Sequence, residues 1–302
     1  MSTRTTVFRA SAPSSTTQAQ LGPLAELPGT WVGKGFNLVS LPDKQDNKPF
    51  RLMLNATQET LTFIPIGGPI PNRGSGQGDI FFLGLQYLQQ VSDAITSEGI
   101  HLEPGLWLNL PATTVPPAQA TVARLGTIPH GDALLAQGNS LTVNGGPQID
   151  PVDSTPFKLD PQTGARINET DAAYLAPFTS TRLPTGIPAG AIANPNVILT
   201  NAIKRQKILN TVVLFVSAAP VGGINGTPLA PPSSPNNVGS IANIPFVVAN
   251  PNANSFSAIF WIEAVQNPGG SQFLQLQYTQ TVIFDFIGIK WPHISVATLV
   301  KR

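Results

Sequence analysis

The chain contains no cysteine, which removes disulfide staples, thiolate nucleophiles, zinc ribbons and iron–sulfur clusters as ways of building or running it. Charge is scarce too. Asp, Glu, Lys and Arg make up 11% of the 302 residues, less than half of the roughly 25% usual in soluble domains. The formal net charge is +1, and the cationic residues are scattered with no basic run. Nothing gives the electrostatic footprint of a nucleic-acid or anionic-membrane partner, and neither is expected. No stretch approaches the roughly 18 apolar residues of a membrane helix, and Met1–Gln20 lacks the apolar core of a secretory signal. The expectation is a soluble, cytoplasmic protein. Carboxylates are too scattered to read as a glycosidase pair, and there is no Gly-X-Ser-X-Gly nucleophile elbow.

Apolar residues are plentiful, at 41%, and 30 prolines with 27 glycines punctuate them. After a Ser/Thr-rich arm over residues 1–20, the apolar spacing is mostly period two or short unbroken runs bounded by Gly, Pro and Asn, the signature of strands. Strands are expected at Trp31–Ser40, Phe50–Ala56, Thr60–Pro65, Ile80–Gln89, Gly105–Leu110, Ala120–Thr127, Leu141–Val143, Thr211–Ser217, Phe246–Ala249, Phe256–Val265 and Gln272–Phe286. Helical signals are few: Leu24–Leu27, Asp171–Ala176, Asn196–Ile208, and Ile294–Val300 after Pro292. The predicted fold is all-β, a closed antiparallel barrel forming one domain over 21–302. Two Pro/Gly/Asn-rich insertions interrupt it, at about 144–195 and 218–243, and loops of that length serve as lids or subunit contacts.

Several residues are candidates for chemistry. Gly29-Thr30-Trp31-Val32-Gly33-Lys34-Gly35 would let a strand bend sharply while Trp31 plugs one barrel end. It cannot be a phosphate loop, because no Gly-Lys-Ser/Thr follows and no helix comes next. The histidines are His101, His130 and His293. His293 follows Trp291-Pro292, where proline fixes the backbone and the indole offers a flat wall, a combination that suits an axial imidazole at a pocket mouth. His101 and Glu103, two apart on a strand, share a face and either orient a ligand or pair at the barrel rim. His130, in Pro129-His130-Gly131, reads first as a turn residue.

Taken in order, three motifs resemble those of the nitrobindins and related heme-binding calycins. Gly29-X-Trp31-X-Gly33-X-Gly35 resembles the family's opening Gly-X-Trp-X-Gly-X-Gly, His101-X-Glu103-X-Gly105 its His-X-Glu-X-Gly, and Trp291-Pro292-His293 its C-terminal Pro-His segment. The resemblance implies a ten-stranded, lipocalin-like barrel with heme b bound at its open end. In it His293 matches the proximal iron ligand, and Gly29, Trp31, Gly33, Gly35, Glu103 and Trp291 match the cofactor-binding set. His101, His130 and Arg124 are the candidates for the distal, catalytic side. The iron's open position would take nitric oxide, peroxynitrite or peroxide, giving isomerase or peroxidase-type activity. The chain is about twice the family's length, so the insertions are extra.

Two other function classes remain beside this one. One is a carrier that holds an apolar small molecule in the same barrel without heme. The other is a structural protein whose low charge and long Pro/Asn loops serve homo-oligomeric assembly.

Overall fold

The computed structural model describes residues 19–72, 76, 78–115, 117–128, 132–218 and 256–302. His130, the expected strand Phe246–Ala249, nearly all of the N-terminal arm and all but the first residue of the second insertion lie outside the described residues. Ten strands form the barrel: β1 (Gly29–Asp43), β2 (Lys48–Pro65), β3 (Ile80–Asp93), β4 (Gly99–Leu110), β5 (Thr121–Ile128), β6 (Asp132–Asn144), β7 (Lys207–Ser217), β8 (Phe256–Gln266), β9 (Gln272–Phe286) and β10 (Ile289–Lys301). Each pairs antiparallel with the next, and β10 returns to β1 from Trp31↔Lys301 to Leu38↔Ile294, so the sheet is a closed up-and-down barrel. The strands expected at Phe50–Ala56 and Thr60–Pro65 are one continuous strand, and Leu141–Val143 is the end of a 13-residue one. No described helix is long and apolar enough to cross a membrane.

Ile294–Val300 is not a helix; it is the strand that closes the barrel. Its period is two: Ala297 and Leu299 join the interior core, while Ile294 and Val296 pack outside. Pro292 lies just beyond the stretch paired with β1 and so does not interrupt that ladder. Closure needs close approach at this seam. A Cβ on Gly33 would sit 2.1 Å from the Thr298 carbonyl, and one on Gly35 2.3 Å from that of Val296. The glycines of the opening motif are therefore where β1 and β10 bend onto each other.

One end of the interior is plugged. Leu21, Leu24 and Leu27 lie with Trp31 in the main core, and Trp31 Nε1–H donates to the Leu27 carbonyl at 2.7 Å.

The first insertion does not cap the barrel. The 145–206 segment, with α1 (Ala172–Ser180) and α2 (Val197–Ile203), packs along the outside of the wall, where Ala191 and Leu199 meet Phe36, Leu38, Trp261, Ile294 and Val296. Three successive outward side chains of β9 latch it. Gln275 exchanges hydrogen bonds with Gln206, Gln277 Nε2 donates to the Leu199 carbonyl at 3.1 Å, and Thr279 Oγ1 to Asn196 Oδ1 at 2.5 Å. α1 is capped by Asp171, which accepts from Ala173 N–H, and it lays Tyr174 and Phe178 against Phe50 beside Trp291.

Candidate functional site: the polar layer inside the barrel

Along each strand the inward positions are alternate residues, and several of them are polar. From β4 comes Glu103, from β5 Arg124, from β3 Tyr87 and Gln89, from β9 Tyr278 and Gln280, and from β2 Glu59. Arg124 is the hub. Its Nη2 donates to Glu103 Oε1 at 2.7 Å and to Gln89 Oε1 at 3.3 Å, Nη1 to Gln280 Oε1 at 2.8 Å, and Nε to the Tyr87 hydroxyl at 3.1 Å. Its guanidinium carbon also lies 5.9 Å from the Trp107 ring centroid and 5.5 Å from those of Phe256 and Phe260, so the cation caps the apolar half of the core. The Tyr87 hydroxyl donates to Glu103.

Electrostatics follow from this packing. Burial pushes the Glu103 carboxyl up, but the Arg124 charge and the bonds from His101 and Tyr87 outweigh it and hold the pKa at about 2. Burial by itself would ease the proton off Arg124, and Glu103 with Tyr87 more than reverses that, so the cation is fixed. Glu59 is different. It accepts from the Tyr278 hydroxyl at 2.5 Å and from Thr57 at 2.8 Å. Burial outweighs these bonds and raises its pKa. The layer thus combines one neutralised ion pair with a carboxyl that favours its proton.

The structure joins three of the sequence candidates: His101 Nε2 lies 3.2 Å from Glu103 Oε2, and Glu103 pairs with Arg124. His101 and Glu103 do share the inward face, as their spacing predicted. His293 comes from β10, four strands around the barrel from β4. Its Nε2 is 2.9 Å from Asn37 Oδ1, which also accepts from Ser295 Oγ, so Nε2 carries the proton in this bond. Phe284 meets the His293 ring edge to face at 5.3 Å. Trp291 is turned into a separate aromatic cluster, stacked on Phe286 at 5.1 Å and 4.3 Å from Phe50. Gly29, Gly33, Gly35 and Trp31 build the seam and the plug of the barrel.

Sequence reading missed Asn37, Asn55, Glu59, Gln89 and Tyr278. The usable signal was polar residues falling in phase with inward apolar ones, as Glu59 does with Leu61 and Phe63. Asn55 sits beside Asn37 in the β1–β2 register. Its Nδ2 donates to Asp93 at 2.9 Å, and its buried Oδ1 has no partner among the described residues. Those residues also include no cluster of three or more His, Cys, Asp or Glu that would hold a metal ion by itself.

No protein-family model matches the chain, and no curated protein matches it. Among solved structures it is similar to the crystal structure of Rv2717c from M. tuberculosis, at 13% identity over 96% of this chain and 98% of that one, with a TM-score of 0.40. The strand pairing itself defines the architecture: an all-β, closed, ten-stranded antiparallel barrel.

Proposed function

We propose that this protein is a ligand-binding barrel that receives one small molecule at the polar end of its interior, around Asn37, Asn55 and His293. The observation that carries the reading is the Asn55 Oδ1 acceptor, buried with no partner among the described residues. Such an atom costs about 1–3 kcal/mol unless a donor reaches it, and a bound ligand supplies one.

Heme b is the ligand that the resemblance to nitrobindins implies, and His293 is the residue that would hold it. An imidazole is the right donor, but its Nε2 is engaged by Asn37. His293 would hold the group through Nε2, giving up a hydrogen bond to Asn37 worth about 1 kcal/mol and leaving Asn37 with Ser295. Bound there, heme would supply an open iron position for nitric oxide, peroxynitrite or peroxide. His101 and Arg124, tied into the Glu103 network, would then set the field and hydrogen bonding on the pocket side. The second reading is a carrier without iron for an apolar molecule with one N–H or O–H donor. The orphan Asn55 acceptor favours it, since heme has no such donor to offer.

Titration of the purified protein with hemin separates the two. Under the heme reading a Soret band saturates at one equivalent, His293→Ala loses or shifts it, and Asn37→Ala binds more tightly because Nε2 is released. A chain that gives no Soret band but retains a small molecule in native mass spectrometry, lost in Asn55→Leu, is a carrier. A protein that does neither is not a ligand-binding barrel.

A further inference from the structure

The outer wall of the barrel carries a concave site of its own. Where the 145–206 segment runs along the sheet it leaves a cleft of about 470 Å³, within the roughly 300–1,000 Å³ of small-molecule sites. Its floor is apolar: Leu141 and Val143 of β6, Val213 and Phe215 of β7, Ile259 and Trp261 of β8. Phe260 and Ile262, the chain neighbours of Trp261, join the interior core, so the cleft and the site around Asn55 lie on opposite faces of the sheet. The rim over residues 147–152 is pinned in place. Asn196 Nδ2 donates to the Asp150 carbonyl at 2.7 Å while its Oδ1 accepts from Thr279 of β9, and Val152 N–H donates to Asn194 Oδ1 at 3.0 Å. Pro147 and Pro151 stiffen the same stretch. The cleft is thus preformed.

We infer that this cleft binds an apolar amine, with the cationic head on Asp150 and the body on the floor around Trp261. Among the described residues Asp150 is the one charged group in the lining, and the other polar members, Gln148, Asn196, Ser257, Thr279 and Thr281, are neutral. No cation of the protein answers it. Among those residues Asp150 forms no ion pair, and its carboxylate has one hydrogen bond, from Gln148 Nε2 to Oδ1 at 2.7 Å, which leaves Oδ2 open. An anionic ligand would meet that carboxylate with nothing to offset the repulsion, and a neutral apolar one would leave it unmatched. An ammonium group brings both the opposite charge and up to three donors. Burial of the rest of the molecule against Val213, Phe215, Ile259 and Trp261 supplies the apolar part of the affinity.

Isothermal titration calorimetry of the full chain with diphenylbutylamine, diphenylbutanol and diphenylbutyrate near neutral pH tests this, because the three share a body and differ in the head. The amine is expected to bind one per chain with sub-millimolar affinity. It should bind about threefold to fivefold tighter than the alcohol, as an exposed ion pair allows, and the acid more weakly than either. Asp150 is exposed, so its variants keep the fold: Asp150→Asn should erase the advantage of the amine and Asp150→Lys should pass it to the acid. Val213→Trp should fill the cleft and abolish binding, whereas Asn55→Leu, inside the barrel, leaves it unchanged. Should Val213→Trp fail to fold by near-ultraviolet circular dichroism, the two Asp150 variants decide alone. Amine binding that survives a folded Val213→Trp, or that is lost in Asn55→Leu, overturns the inference. Equal affinity for amine and alcohol overturns it too, and assigns the cleft to neutral apolar molecules. So does a wild type that binds none of the three, and if sedimentation then shows a dimer that Val213→Trp disrupts, the cleft is a contact between copies of the chain.

Discussion

Glu263 tests whether the outer segment is seated as tightly as its latches imply. The residue faces outward on β8, is fully buried, and has one hydrogen bond, from Gln275 Nε2 to Oε2 at 2.6 Å. Its Oε1 has no partner among the described residues. Gln275 in turn holds Gln206 at the end of the 145–206 segment. Burial pushes the Glu263 pKa up to about 7 from the ordinary 4.5. The unfolded chain therefore releases this proton near pH 4.5 while the folded chain keeps it to about pH 7. Stability is unaffected below pH 4.5 and falls as pH rises through the interval, by up to about 1.4 kcal/mol per unit. The whole loss is about 3 kcal/mol and is complete above pH 7. Glu263→Gln keeps the shape and the acceptor for Gln275 but cannot ionise. Urea unfolding of both proteins from pH 4 to pH 8 should give similar stabilities at the acid end and a gap widening to about 3 kcal/mol in favour of the variant at the basic end. Parallel curves across that range would mean that the carboxylate is hydrated, and that the segment does not seal it.

The Arg124–Glu103 pair should respond in the opposite sense. Glu103 contributes stability above pH 4.5 that is lost as the solution approaches pH 2, and Glu103→Gln, which leaves the buried cation unmatched, should cost about 3–5 kcal/mol at neutral pH by chemical denaturation. Replacing both partners, as Arg124→Met with Glu103→Leu, should recover most of that loss. Gly138→Ala should prevent or severely weaken folding, because the new Cβ would sit 1.7 Å from the Phe215 carbonyl; an alanine variant with unchanged melting temperature would contradict the pairing of β6 with β7. Trp31→Ala should lower stability by about 3–5 kcal/mol, and loss of ligand binding with an unchanged melting temperature would move Trp31 from the plug into the site.

Much of the barrel was legible because most of its strands alternate cleanly between core and solvent. The misreading of Ile294–Val300 came from a proline followed by an apolar run, where a short window does not separate period two from a helical face. The first insertion was visible as an insertion, but its seat on the outer wall was not. The clue was in β1, where Phe36, Asn37, Leu38, Val39 and Ser40 are all buried. An unbroken buried run means that both faces of a strand are covered. The site was readable only where it is local. His101 and Glu103 declare their shared face by spacing, and His293 stood out by its flanking residues. The partners that define their chemistry lie far off in sequence: Asn37 is 256 residues from His293, and Glu59 is 219 from Tyr278. Arg124 drew notice without its carboxylate, because nothing in either stretch of sequence marks the register that brings β4 and β5 together.

The seam between β1 and β10 also bears on how the chain reaches its fold. Trp31 and Lys301 are opposite each other although the other eight barrel strands lie between β1 and β10 in sequence, so the outer ladder of β1 is completed only once β10, the last of the ten barrel strands, has been made. Until then nine strands form an open sheet with two unsatisfied edges, β1 and β9, which is the form of sheet most prone to pair with a neighbouring molecule. The loop entropy of that final closure grows only with the logarithm of its length, so the delay is set by waiting for residues 289–301 and not by the search. Until β10 docks, the nine-stranded sheet is an open, adhesive trough, and chaperone demand should fall abruptly once β10 is free to close it.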